Sequence, residues 1–105
     1  IMELINLTPH SIVVEGLGTF ESKGLARVST TQNVVGNING IDLVETVQGQ
    51  IEGLPEMEEG KMYIVSGMVL SALKGSRIDV IAPDTGSTAI RNEKGQIISV
   101  TRFTK

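Results

Sequence analysis

The stretch Lys61–Gly86, KMYIVSGMVLSALKGSRIDVIAPDTG, decides how this chain folds. Met62–Val65 is apolar and carries the β-formers Tyr63, Ile64 and Val65, so it predicts a buried strand. Ser66 stands where an N-cap would, with a hydroxyl able to accept from the first free N–H groups of a helix. Met68, Val69, Ala72 and Leu73 recur at helical spacing and give a short helix around 67–74 one apolar face. Gly75 follows the last periodic residue, where a left-handed C′ residue is wanted. Ile78–Ala82 is a second apolar run; Pro83 ends it by removing an N–H donor, and Asp84-Thr85-Gly86 has turn composition.

Strand, helix and strand in this order suggest a parallel pair, although the connection of about a dozen residues is near the lower limit for a parallel crossover. An antiparallel pair with the helix as an elaborate loop is the alternative. If the pair is parallel, Ser66-Gly67 and Pro83–Gly86 meet at the carboxyl end of the strands, where open α/β sheets bind ligands. The free N–H groups of the helix start would suit an anion there. Against this stands the plain reading of a cap and a turn with structural roles only, which most such residues have.

Working outward, 105 residues make one domain with a modest core. A hydrophobic content of 40% fits a folded chain. Tyr63, Phe20 and Phe103 are the only aromatic residues, so the core is aliphatic and base-stacking platforms for single strands are not expected. A net charge of −3 argues against a surface for duplex nucleic acid, which needs a basic stripe. There is no cysteine, which removes disulfides, zinc thiolates and thiol catalysis, and fits a reducing cytoplasm. No apolar run approaches the ~20 residues that cross a bilayer. No signal peptide is expected, because no basic segment leads into a hydrophobic block. Ile1, ahead of Met2, is assigned no role.

Before the central stretch, Glu3–Leu7 and Ser11–Glu15 predict short strands separated by Thr8-Pro9-His10. Gly16-Leu17-Gly18 turns the chain into a returning strand at Thr19–Glu21. Leu25–Thr31 predicts the next strand, with Ala26, Val28 and Thr30 on the better core face. Gln32–Gly40, rich in Asn and Gly, reads as a loop ending in a tight Asn39-Gly40 turn. Ile41–Gln48 resumes strand character, Gly49 suggests a bulge, and Gln50–Leu54 can continue the strand. Pro55–Gly60, PEMEEG, is an internal connection; its acidic residues read as a solvated loop ahead of a cation site, lacking the spacing of a calcium loop. Ser87–Arg91 and Gln96–Phe103 predict a hairpin around Asn92–Gly95. The fold expected is α+β: a mostly antiparallel, strongly bent sheet, with a small barrel as a variant, and one short helix.

No motif identifies a reaction. His10 is the only histidine, and base catalysis would require an orienting partner, for which Asp79 and Asp84 are candidates. A structural hydrogen bond or a place in a pocket wall is favoured for it. One histidine without cysteine makes a poor transition-metal site, and no nucleophile elbow, P-loop or dinucleotide fingerprint is present. Arg77 and Arg91 are the candidate charge partners for an anion, since the guanidinium fork matches phosphate and carboxylate. For either one alone, an ion pair such as Arg77 with Asp79 is the simpler explanation.

Asn6-Leu7-Thr8-Pro9-His10 ahead of a β-branched strand, Tyr63-Ile64-Val65-Ser66, Arg77-x-Asp79-Val80-x-x-Pro83 and Asn92-Glu93-x-Gly95-Gln96-Ile97 occur in that order. Together they resemble a family of small proteins encoded by tailed phages and prophages, without a settled activity. The resemblance covers most of the chain and implies a setting in the host cytoplasm, where such accessory proteins act as inhibitors, signal-binding proteins or assembly factors. The expected function is therefore non-enzymatic binding of a small anionic ligand, such as a nucleotide immune signal, with no cofactor and no metal. Its expected site is Thr8, His10, Ser66, Gly67, Arg77, Asp84 and Arg91. A protein–protein inhibitor or structural accessory protein that contacts a host protein is the alternative, and a small hydrolase using His10 ranks third. A homo-oligomer is expected, because so small a domain has little room for an enclosed pocket.

Overall fold

A computed structural model describes residues 2–105; Ile1 lies outside them. The elements in chain order are β1 (Glu3–Asn6), β2 (Ile12–Val14), β3 (Gly18–Phe20), β4 (Arg27–Ile38), β5 (Ile41–Glu52), β6 (Lys61–Ile64), α1 (Gly67–Leu73), β7 (Val80–Pro83), β8 (Ile90–Arg91), β9 (Ile97–Ser99) and β10 (Phe103–Thr104). The central stretch folds as strand, helix, strand. β6 and β7 run parallel, with Tyr63 opposite Val80 and Ile64 opposite Ile81. β1 joins the free side of β6, also parallel, and β10 closes the other edge antiparallel to β7, giving the order β1-β6-β7-β10.

The interior of this sheet explains the choice. Ile64, Val65, Val80 and Ala82 are wholly buried. A strand buried on both faces reads as a continuous apolar run rather than an alternating one, which is the pattern of parallel sheets. The core comprises Leu7, Ala26, Tyr63, Val65, Val69 and Val80, with Val28, Ile51, Leu54, Leu70 and Leu73 packed around it. Thus α1 is held between the sheet and the base of the β4–β5 pair. Ser66 is its N-cap, with Oγ accepting from the Val69 N–H at 3.4 Å.

Several expectations need correction. The chain is a small α+β domain of mostly strands, but its central sheet is mixed with three parallel strands, and the described residues form no closed barrel. The antiparallel pairs are separate two-stranded ribbons: β2–β3, β4–β5 and β8–β9. Gln32–Gly40 is not a loop. β4 runs through to Ile38 and pairs with β5 over its whole length, with register shifts between Val28 and Thr30 and between Val34 and Gly36. Asn and Gly in that segment conceal a strand that absorbs its irregularity as bulges. The terminal hairpin is shorter than expected, because Phe103 leaves it to pair with Pro83 in the central sheet. The left-handed turn after α1 begins at Lys74 (φ 52°), one residue before Gly75 (φ 76°).

The β4–β5 ribbon also sets the outline of the molecule. The radius of gyration is 16.6 Å and the extents are 54 × 39 × 20 Å, against about 13 Å for a compact chain of this length. Twelve-residue strands at about 3.4 Å per residue reach about 40 Å, and only their base is packed on the core.

Candidate functional site

An open cleft of about 500 Å³ lies at the carboxyl ends of β1, β6 and β7. Thr8, Pro9 and His10 form one wall, Ser66 and Gly67 the next, and Pro83 and Thr85 a third. The remaining side comes from the small ribbons, through Ile12, Val13 and the segment Ile97–Val100. Those ribbons are joined where the Val100 N–H donates to the Val13 carbonyl at 2.9 Å and the Glu15 N–H donates to Val100 at 2.8 Å. Parallel β6 and β7 bring the two loops after them to one end of the sheet, and β1, parallel as well, brings Thr8–His10 to the same end.

The Thr8–His10 wall is built by Asn6. This side chain is 1% exposed. Its Nδ2 donates to the carbonyls of His10 at 2.8 Å and Phe20 at 2.9 Å. Its Oδ1 accepts from the Thr8 N–H at 2.9 Å and faces the Thr8 hydroxyl at 2.7 Å. All four hydrogen-bonding positions of the amide are therefore filled. The Thr8 hydroxyl also lies 2.9 Å from the His10 carbonyl, so its single proton is shared between two acceptors. Ser22 Oγ donates to the Thr8 carbonyl at 2.6 Å. Thr8 is thus a positioning residue, whereas the exposed His10 ring is open to the cleft mouth.

Sequence reasoning passed over Asn6. Its signal was an Asn two residues before a Thr at a strand end, the arrangement of an Asx turn. Ile97–Val100 was also missed as a wall, since nothing local links it to the loop after β6.

The structure brings Thr8, His10, Ser66 and Gly67 together at the cleft. Arg91 stands behind it: Nη2 donates to the Thr85 carbonyl at 3.2 Å and Nη1 to the Gly95 carbonyl at 2.6 Å, tying the Thr85 turn to the Asn92–Gly95 turn. Asp84 is turned to its neighbours. One oxygen accepts from the Gly86 N–H at 2.9 Å and the other from Arg102 Nε at 2.6 Å. The Gly86 N–H first, and Arg102 second, hold its carboxyl below the ordinary range.

Arg77 is not brought to this cleft. It precedes β7, at the amino end of the strands, and forms a two-pronged pair with Asp79: Nε to Oδ1 at 2.8 Å and Nη2 to Oδ2 at 2.7 Å. Nη2 also donates to the Pro55 carbonyl at 2.8 Å. That bonding holds Asp79, 4% exposed, below the ordinary carboxylate value and raises Arg77. The pair fastens the Pro55–Gly60 connection to the foot of β7.

The cleft lining contains no Asp, Glu, Lys or Arg; His10 is its one titratable side chain. Among the described residues no group of three or more His, Asp or Glu side chains could hold a metal ion, and no helix is long and apolar enough to cross a membrane. The arrangement offers polar groups on one wall over a largely aliphatic floor. Comparison with protein-family models, curated proteins and solved structures finds no match to this chain.

Proposed function

We propose that this chain is a non-enzymatic binding protein of phage or prophage origin that holds a small anionic ligand, such as a nucleotide, in the cleft at the carboxyl ends of its parallel strands. The observation that carries this reading is the meeting of His10 with the Ser66-Gly67 helix start over an apolar floor. The first N–H groups of a helix have no intrahelical acceptor, so Gly67, which lines the cleft, offers a donor to an anionic group. Ile12, Val13, Ile97 and Ile98 offer area to a planar or apolar body. Hydrolysis is the weaker reading, because Asp84 is committed to Arg102 and Gly86, which leaves His10 without the carboxylate a general base uses for orientation.

Thermal unfolding against a panel of nucleotides and cyclic nucleotides tests this. A ligand at about 100 times its Kd adds about 2.7 kcal/mol of stability. The expected result is a raised Tm for at least one member, lost in His10→Ala; that side chain is exposed and supports no element. No shift with any member overturns the reading.

A second reading, an accessory protein acting through protein–protein contact, is favoured by the β4–β5 ribbon. Val34, Val35, Ile38, Ile41, Leu43, Val44 and Val47 are all exposed on it.

A further inference from the structure

The chain carries nine Lys and Arg side chains against twelve Asp and Glu, and the cations are unevenly placed. None of them lines the cleft beside His10. Three of them, Lys74, Arg77 and Lys105, line a second pocket of about 440 Å³ between α1 and the end of β10. No Asp or Glu side chain lines it. The two hollows share only Gly67. Leu70, Leu73 and Ile78 give the second one an aliphatic floor, and its volume is in the range that takes a small molecule.

We propose that this pocket holds the phosphate group of a soluble phosphomonoester with an apolar body. Charge selects the head group. Lys74 and Lys105 are exposed and form no ion pair among the described residues, so two positive charges at the pocket are uncompensated. A phosphomonoester carries close to two negative charges at neutral pH, whereas a carboxylate carries one.

Arg77 adds direction rather than charge, since Asp79 balances it. Of its five guanidinium N–H groups, Nε donates to Asp79 Oδ1, and Nη2 donates to Asp79 Oδ2 and the Pro55 carbonyl. The two on Nη1 have no acceptor among the described residues, on a side chain that is only 20% exposed. Asp79 fixes the plane of the fork, so these donors are held in place before a phosphate arrives. Backbone carbonyls at this end of α1 do not oppose an anion. That of Ser71 accepts from the Lys74 N–H at 3.2 Å and that of Leu73 from the Ser76 N–H at 3.0 Å. The floor selects the rest of the molecule: Ile78, 66% exposed, is apolar surface that a ring or short chain would cover.

Titration of the isotope-labelled full chain with phenyl phosphate, followed through amide chemical shifts, is the test. The expected result is saturable shifts in Leu70–Gly75 and Thr104–Lys105. Phenol, the same ring without the phosphate, is expected to give none there, and inorganic phosphate is expected to bind more weakly at the same amides. The Lys74→Glu, Lys105→Glu double variant is expected to weaken phenyl phosphate by more than about tenfold, with an unchanged circular dichroism spectrum, since both side chains are exposed. His10→Ala is expected to leave the binding unaltered, which separates this pocket from the cleft. Absence of saturable shifts at these amides overturns the proposal, as does binding that the double variant leaves unchanged or that phenol matches. Shifts confined to Thr8–His10 and Ser99–Val100 overturn it too, and place the phosphate in the cleft instead.

Discussion

The central sheet and the β4–β5 ribbon are made of similar side chains and treat them in opposite ways. In β6 and β7, four residues each, Tyr63, Ile64, Val80 and Ala82 are buried, and Val65 just after β6 is wholly enclosed. In β4 and β5, twelve residues each, only Val28 and Ile51 reach the core, and Val34, Ile38 and Ile41 stand in the open. Valine and isoleucine in a strand therefore predict pairing, but they do not say what lies over the pair. Enclosure is decided by what packs over the strands: α1, Leu7, Ala26 and the base of the ribbon for the central pair, and nothing among the described residues for the ribbon beyond its base.

The junction between the two regions is where the contrast breaks most easily. Gly53 has φ +82°, and a Cβ there would clash with the Leu25 carbonyl oxygen. Gly53→Ala is expected to cost about 4 kcal/mol, from the left-handed backbone and the overlap together, read as a lowered urea midpoint. Arg77→Ala comes next, at about 3 kcal/mol, because it strands a buried carboxylate and frees Pro55.

The pH dependence of that second effect has a fixed sign. The Arg77 hydrogen bond depresses the folded-state value of Asp79 below the ordinary 3.8. The stabilisation is thus complete above the unfolded-state value and is lost as pH falls through the lower folded-state one. In Asp79→Asn, that part of the acid-induced loss is expected to vanish from the stability profile below about pH 4.

A matched pair tests the comparison itself. Val80→Ala in the sheet is expected to cost about 2–3 kcal/mol, and Val34→Ala on the polar face of the ribbon less than about 0.5 kcal/mol. Equal costs would mean that the ribbon has its own enclosure. One substitution is a gain: Lys74→Gly, at φ 52°, is expected to stabilise by up to about 0.5 kcal/mol, because glycine takes that conformation without a Cβ penalty but loses more chain entropy on folding.

Local chemistry made much of this legible. The serine cap, the helix from Gly67 and the turn at Asp84 each rest on a few adjacent residues, and so they could be read from the chain; whether β6 and β7 run parallel was left open by the sequence and is decided by the structure. The Asn39-Gly40 turn was equally plain. What could not be read was non-local. The pairing of Phe103 with Pro83 depends on residues far apart in sequence, as does the arrival of Ile97–Val100 at the cleft. Gln32–Ile38 was misread because its polar and glycine residues resemble a loop, while its partner strand lies beyond the turn. Of the residues expected at one site, the loop at Thr8–His10 and the helix start do line a common cleft, whereas Arg77 lies away from it. Its bonding partner Asp79 is two residues away, and that pair holds the guanidinium on the far side of the sheet.

The fully engaged amide of Asn6 has a consequence for whatever enters beside His10. A loop already locked by its own interior bonds loses little freedom when a guest arrives, so the guest's contacts are not offset by the entropy of ordering a wall. If the cleft binds as proposed, such a rim selects by shape, and His10→Ala removes a contact to the guest while leaving the bonds that hold the wall intact.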